Sequence, residues 1–259
     1  MKPQACLLRA EGTNCDAETF YALELAGADP RMVHVNELRA RSQRLRDYQL
    51  LVIPGGFTYG DDVAAGKILA VELISFLREE IYEFVAAGKP VLGICNGFQV
   101  LVRTGLLPFR EAGRVQAALI HNRSGRFECR WVRLRVEETP CVFTRGLAGR
   151  VIEMPVAHAE GRFYAPSPVM EELETRRQIV FRYVDGAGAP TAEYPANPNG
   201  SEAAVAGICD AAGTILGLMP HPERYVRPVQ HPNWRRLGIS GEGHGLAIFR
   251  NAVAYAAGL

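Results

Sequence analysis

The sequence predicts an α/β fold: an open, mostly parallel central sheet flanked by helices, with an antiparallel section added further along the chain. Three observations predict it. Short apolar runs alternate with helix-period stretches as far as Leu101, the order that lays strands in parallel with helices crossing over them. From Arg126 the texture changes to alternation, with Val132, Leu134 and Val136 set against Arg133, Arg135 and Glu137, the pattern of a strand with one wet face. The 259 residues, 48% of them hydrophobic, supply a large core without disulfide staples. No linker, repeat or low-complexity segment interrupts the chain, so residues 1–259 are read as a single domain.

The elements follow in order. Residues 4–10 read as a strand, 16–26 as a helix, and 32–35 and 48–53 as two more strands. Residues 61–87 read as a long helical region, with Leu69, Leu73, Phe76, Leu77, Ile81 and Phe84 at spacings of three and four before Gly88 stops it. Residues 90–94 are a short apolar run suited to a buried parallel strand, and Phe98, Leu101 and Val102 then recur at helical spacing. Further strands are expected at 126–138, 150–156, 178–184, 204–209 and 214–218, with turns at Asp185-Gly186 and Ala212-Gly213. A final helix turns Leu246, Phe249, Val253 and Ala256 to one side, as for packing onto a sheet.

Charge and composition exclude several classes. A net charge of +1 gives no general pull toward nucleic acid or an anionic membrane. Local arginine clusters, Arg39 to Arg46 and Arg126 to Arg135, read as solvated faces. No apolar run approaches the ~18 to 20 residues of a membrane span, and the first residues lack the apolar core of a signal peptide, so the chain is read as cytoplasmic. The six cysteines form no C-x-x-C pair and are expected to be reduced. His158 and His221 stand apart from any cysteine in sequence and no H-E-x-x-H occurs, so no metal site is expected.

The chemistry gathers where apolar runs end. In Gly93-Ile94-Cys95-Asn96-Gly97 a cysteine sits between two glycines where a strand gives way to a helix. Such an elbow presents the central side chain at the sheet edge, and a helix N-terminus there favours thiolate over thiol. The competing reading is a small buried core cysteine. Leu216 to Pro220 is another apolar run that ends in His221-Pro222-Glu223, where His221 is the natural base and Glu223, two residues on, can set its tautomer. The order Cys, His, Glu argues against an α/β-hydrolase, whose acidic member precedes the histidine. A third run, Leu51 to Pro54, ends in Gly55-Gly56; an inward N–H from this turn, with that of Asn96, would form an oxyanion hole. The plain alternative is a strand-to-helix turn with Asp61 or Asp62 as N-cap.

The stretches PGGFTYGDD, GKPVLGICNGFQVL, PVAHAEGRFY, PANPNGSEAAVAGICD and GLMPHPER resemble the class I glutamine amidotransferases, more narrowly the glutaminase subunits of phosphoribosylformylglycinamidine synthases. The resemblance runs from GTNCD at Gly12 to the final helix. It implies the amidotransferase fold, with Cys95 as nucleophile, His221 as base and Glu223 as its orienter. It further implies Gly56 and Asn96 as oxyanion donors, Gln99 as a residue holding substrate glutamine, and His158 near the site, although Ala159 stands where that loop usually has glycine. By the same resemblance the ammonia passes to a large synthetase subunit that uses ATP and magnesium to aminate formylglycinamide ribonucleotide in purine biosynthesis, with a small accessory subunit bound. This chain itself carries no phosphate-loop or dinucleotide fingerprint and no cofactor is expected in it. Cys15 is the rival nucleophile, but no elbow surrounds it and GTNCD reads as a loop capping the first helix. The rival functions are a cysteine peptidase or chaperone-like protein of the same fold, a different class I amidotransferase, and a catalytically dead binding module. The segment HPNWRRLGISGEGHG, residues 231–245, is assigned no role.

Overall fold

The apolar runs assemble into a nine-stranded sheet that is parallel in one half and antiparallel in the other. The computed structural model describes residues 2–111 and 113–259. Its strands are β1 (Gln4–Arg9), β2 (Asp29–His34), β3 (Leu50–Ile53), β4 (Val91–Ile94), β5 (Ala118–Ile120), β6 (Glu128–Val136), β7 (Val151–His158), β8 (Arg162–Tyr164), β9 (Ile179–Tyr183), β10 (Val205–Cys209) and β11 (Ile215–Leu218). The helices are α1 (Asp16–Ala26), α2 (Val35–Arg39), α3 (Lys67–Phe76), α4 (Arg78–Ala86), α5 (Asn96–Arg103), α6 (Ser167–Thr175), α7 (Trp234–Leu237) and α8 (Leu246–Ala256).

The sheet order is β2-β1-β3-β4-β11-β10-β9-β6-β7, and β5 pairs with β8 apart from it. β2, β1, β3, β4 and β11 run parallel, and β10, β9, β6 and β7 continue antiparallel. Every residue of β3, β4 and β11 is buried, which is why these strands read as unbroken apolar runs. α1 and α8 pack together, as do α3 and α5. Because β3, β4 and β11 are parallel neighbours, their C-terminal ends emerge side by side, the usual place for a ligand in an open α/β sheet.

Several elements differ from the sequence reading. β2 begins at Asp29, not Met32, because Gly27 in a left-handed conformation (φ 99°) ends α1 abruptly and Asp29 to Arg31 already pair with β1. The long helical region is two helices that meet at Leu77 (φ −122°, ψ 10°). Leu69, Leu73, Leu77, Ile81 and Phe84 are buried across the break, so a one-residue kink leaves the apolar spacing intact, but Phe76 points outward. Neither Asp61 nor Asp62 caps α3, which begins after Gly66; Asp61 Oδ1 instead accepts the Gly66 N–H (3.4 Å). Residues 231–245 are held by aromatic contacts, since His231 lies against Trp131 (4.7 Å between ring centroids) and reaches Glu153 with Nε2 (3.2 Å). Tyr225 packs between Trp131 and His244, 5.1 Å from each.

Candidate active site

Cys95 joins β4 to α5 in a conformation with φ 50° and ψ −102°, sterically costly for a residue with a Cβ. The turn is fixed around it. Its N–H donates to Leu218 O at the end of β11 (2.8 Å), and its carbonyl accepts from Gln99 N (3.1 Å). The flanking glycines serve close approach: a Cβ on Gly97 would lie 1.9 Å from Ile53 O, and one on Gly93 would lie 2.7 Å from Gly97 O. The helix therefore starts against the end of β3 and holds the thiol at its N-terminus, with Sγ 3.7 Å from Ala157 O.

His221 follows the adjoining strand end. It is extended (φ −105°, ψ 91°), whereas Pro222–Arg224 form a 3₁₀ turn, so a turn rather than a continuing strand brings Glu223 back to the ring. The Nδ1–H donates to Glu223 Oε1 at 2.6 Å, with both side chains buried. His221 Nε2 and Glu223 Oε2 have no hydrogen-bond partner among the described residues. Burial alone would lower the imidazole pKa, but the charges of Glu223 and Cys95, with the nearby sulfurs of Cys15 and Cys95, hold it well above the ordinary histidine value. A base with its Nδ1 proton fixed on a carboxylate leaves Nε2 to exchange a proton with the thiol.

The third strand end supplies Gly55 and Gly56. A Cβ on Gly55 would lie 2.8 Å from His221 Cε1 and 3.1 Å from Cys15 Sγ, so the imidazole packs directly on this backbone. Gly56 has φ 144°, which glycine alone adopts readily, and its backbone bridges Thr13. Neither Gly56 N–H nor Asn96 N–H donates to an acceptor among the described residues, and Asn96 opens α5, where helix geometry provides none. The Asn96 side chain ties the turns together: Oδ1 accepts from Thr58 Oγ1 (2.7 Å), and Nδ2 donates to Asp61 Oδ1 (3.1 Å) and Gln99 Oε1 (3.0 Å). Gln99 is buried and donates from Nε2 to Glu160 O (2.6 Å), so its amide links the Asn96 turn to the loop after β7.

His158 ends β7, next to the Ala157 carbonyl that faces Cys95. Its Nδ1–H donates to Asn122 Oδ1 (3.1 Å), Nε2 accepts from Asn199 Nδ2 (3.5 Å), and a Cβ on Gly161 would lie 2.3 Å from its Cε1. The NPNGS stretch thus buttresses this loop, since Asn199 Nδ2 also donates to Gly161 O (2.8 Å) and Ser201 Oγ accepts from Phe163 N (2.9 Å). Burial, then the positive charge of His221, lower the His158 pKa to about 3, so the ring is neutral at pH 7. The unfolded ring takes a proton near the ordinary value of 6.5 and the folded ring does not until about 3, so this contribution is complete above pH 6.5 and is lost as pH falls toward 3. Urea titrations from pH 7 to 4.5 are expected to show stability falling by up to about 1.4 kcal/mol per pH unit from this group, and His158→Gln is expected to flatten the slope. An unchanged slope in His158→Gln would refute the assignment.

Cys15, the rival nucleophile set aside as part of a loop capping the first helix, lies beside His221 and Glu223, a placement that the sequence does not signal. It occupies the N-cap position of α1 without a side-chain capping bond, and its Sγ instead accepts from Arg224 Nη2 (3.1 Å). A ligand atom from each of Cys15, His221 and Glu223 lies within 4.8 Å of the other two. No spacing in GTNCD signals this, because the contact depends on the start of α1 lying against Gly55, just after β3, and against the 3₁₀ turn Pro222–Arg224.

A model of the CobB/CobQ-like glutamine amidotransferase domain matches residues 2–256. The chain is 48% identical over 256 residues to phosphoribosylformylglycinamidine synthase subunit PurQ of Dehalococcoides mccartyi, covering 98% of each chain. It is 48% identical over 242 residues to the protein of the same name from Treponema denticola, covering 87% of this chain and 89% of that one. It superposes on a chain of the Thermotoga maritima PurLQS structure with a TM-score of 0.75 and 33% identity, covering 98% of this chain and 99% of that one.

Proposed function

The chain belongs to the CobB/CobQ-like glutamine amidotransferase family, and on that premise we propose that it is the glutaminase subunit of a phosphoribosylformylglycinamidine synthase. Identity of 48% along nearly the whole length of a PurQ protein carries this reading. The meeting of Cys95, His221 and Glu223 at two adjoining strand ends supports the chemistry.

In this reading residues 1–259 work as one amidotransferase domain. The Cys95 thiolate attacks the side-chain amide carbon of glutamine, and the N–H groups of Asn96 and Gly56 hold the charge that develops on the amide oxygen. His221 gives its proton to the departing nitrogen, ammonia leaves, and a thioester remains on Cys95. Water, deprotonated by His221, then attacks the thioester, so that glutamate leaves and the thiolate returns. Glu223 keeps the imidazole in the required tautomer. Gln99 and His158 shape the substrate side, Gln99 through the Glu160 loop and His158 as a neutral, buried support.

The ammonia is consumed by a large synthetase subunit that holds ATP and magnesium, accompanied by a small accessory subunit, all in the cytoplasm. The match to a chain of PurLQS supports work within an assembly. Among the described residues no helix is long and apolar enough to cross a membrane. Mixing the chain with the synthetase subunits, glutamine, ATP and formylglycinamide ribonucleotide is expected to release one glutamate per aminated product. Glutamate release without aminated product, under conditions where free ammonia does yield it, would overturn the assignment.

A further inference from the structure

The buried sulfur of Cys15 is not used by the mechanism above, yet it lies beside the groups that carry it. Its backbone is fixed at both sides: Cys15 N–H donates to Gly55 O (3.3 Å), and its carbonyl accepts from Thr19 Oγ1 (2.6 Å). Arg224, which donates to the sulfur, is itself aligned by Glu18 Oε1 (3.3 Å) on α1. Gly55, the sulfur and the imidazole pack in one layer, since a single Cβ on Gly55 would crowd His221 Cε1 and Cys15 Sγ alike.

Three roles compete for this sulfur. A metal ligand set with His221 and Glu223 is disfavoured by the guanidinium 3.1 Å from Sγ, which puts positive charge where a cation would bind. A nucleophile is disfavoured because Cys15 has an ordinary backbone (φ −101°, ψ 17°) and its sulfur lies within 4.8 Å of a carboxylate oxygen of Glu223, the group that already holds Nδ1. Positioning remains. Among the described residues the bond from Nδ1 to Glu223 is the ring's single pivot, and a neighbour packed against the same Gly55 backbone restricts the ring from swinging about it.

Resting on the glutaminase reading of Cys95 and His221, we propose that Cys15 is a positioning residue whose sulfur braces the imidazole against Gly55 and Glu223 and so keeps Nε2 turned to Cys95. The charged and titratable groups around the ring are Cys95 from the β4 elbow, Glu223 and Arg224 from the 3₁₀ turn, His158 from the end of β7 and Cys15 from the start of α1. Of these, Cys15 adds to the effects that raise the imidazole pKa. Its removal therefore lowers that pKa and moves the basic limb of the rate profile, where the imidazolium loses its proton, to lower pH.

The test uses the assembled synthetase with Cys15→Ala and Cys15→Ser. In Cys15→Ala glutamine-dependent kcat is expected to fall about 10-fold to 100-fold, as for a small misplacement of a reacting group. KM for glutamine should stay within about 2-fold. The basic limb should move to lower pH, ammonia-dependent synthesis should persist, and Cys15→Ser should recover part of the loss. Wild-type kcat with an unmoved limb in Cys15→Ala would overturn the proposal, as would equal losses in both variants with the limb unmoved. Labelling by a glutamine-like chloroketone separates the two readings: wild-type protein that is not alkylated at Cys95 would remove the underlying assignment and this one with it. Equal alkylation rates and pH profiles in wild type and Cys15→Ala would remove only the role of Cys15.

Discussion

Cys95→Ser is expected to lower glutamine-dependent synthesis by about 10⁴-fold or more while leaving synthesis from free ammonia at the wild-type rate. The magnitude is that of losing a covalent nucleophile. Serine is nearly isosteric in this buried site, and the turn is held by backbone bonds and glycine contacts that the substitution does not touch, so folding and partner binding should persist. The hydroxyl fails because its proton is far harder to remove than a thiol's, and a helix N-terminus with one imidazole does not close that gap. Glutamate release and ammonia-dependent product formation are measured on the same preparation. Glutaminase turnover retained in Cys95→Ser but lost by about 10⁴-fold in Cys15→Ser would transfer the nucleophile to Cys15 and refute the assignment of Cys95.

The parallel half of the fold was legible because β3, β4 and β11 are buried on both faces, which leaves an apolar run with a sharp polar end. Those ends carry the proposed active site, so Gly55-Gly56, Cys95 and His221 could be picked out as strand termini. The break at Leu77 was hidden because both helices bury the same apolar series on the same layer. β5 and β8 are three residues each and owe their pairing to one another, and α6 is a surface helix with only Leu173 buried, too little for a clear stripe. At the site, motif order gave the Cys, His and Glu set, whereas Cys15 and the hold of Asn122 and Asn199 on His158 depend on which loops meet above the sheet. A polar side chain that acts through another across the fold leaves no local period and no spacing to read.

His221→Ala is expected to lower kcat by about 10⁴-fold or more and Glu223→Gln by about 10³-fold, with the double variant no worse than His221→Ala alone. The difference follows from what each group does. Without the imidazole no group takes the thiol proton or delivers one to the departing ammonia. Without the carboxylate the imidazole is still present, but its buried Nδ1–H faces an amide that offsets less of the positive charge. Burial lowers the imidazole pKa and the Glu223 charge is the largest effect that raises it, so Glu223→Gln lets burial dominate and the pKa falls. The imidazolium is then lost at a lower pH than in the wild type, and the residual activity of Glu223→Gln should have its basic limb displaced in that direction. Non-additivity has the same origin, because an orienting carboxylate has nothing to orient once the ring is gone. Single-turnover release of ammonia from the four proteins across pH 6 to 9 measures all of these effects. Losses that multiply in the double variant, or a basic limb in Glu223→Gln that coincides with the wild type, would show that Glu223 and His221 do not act as one unit.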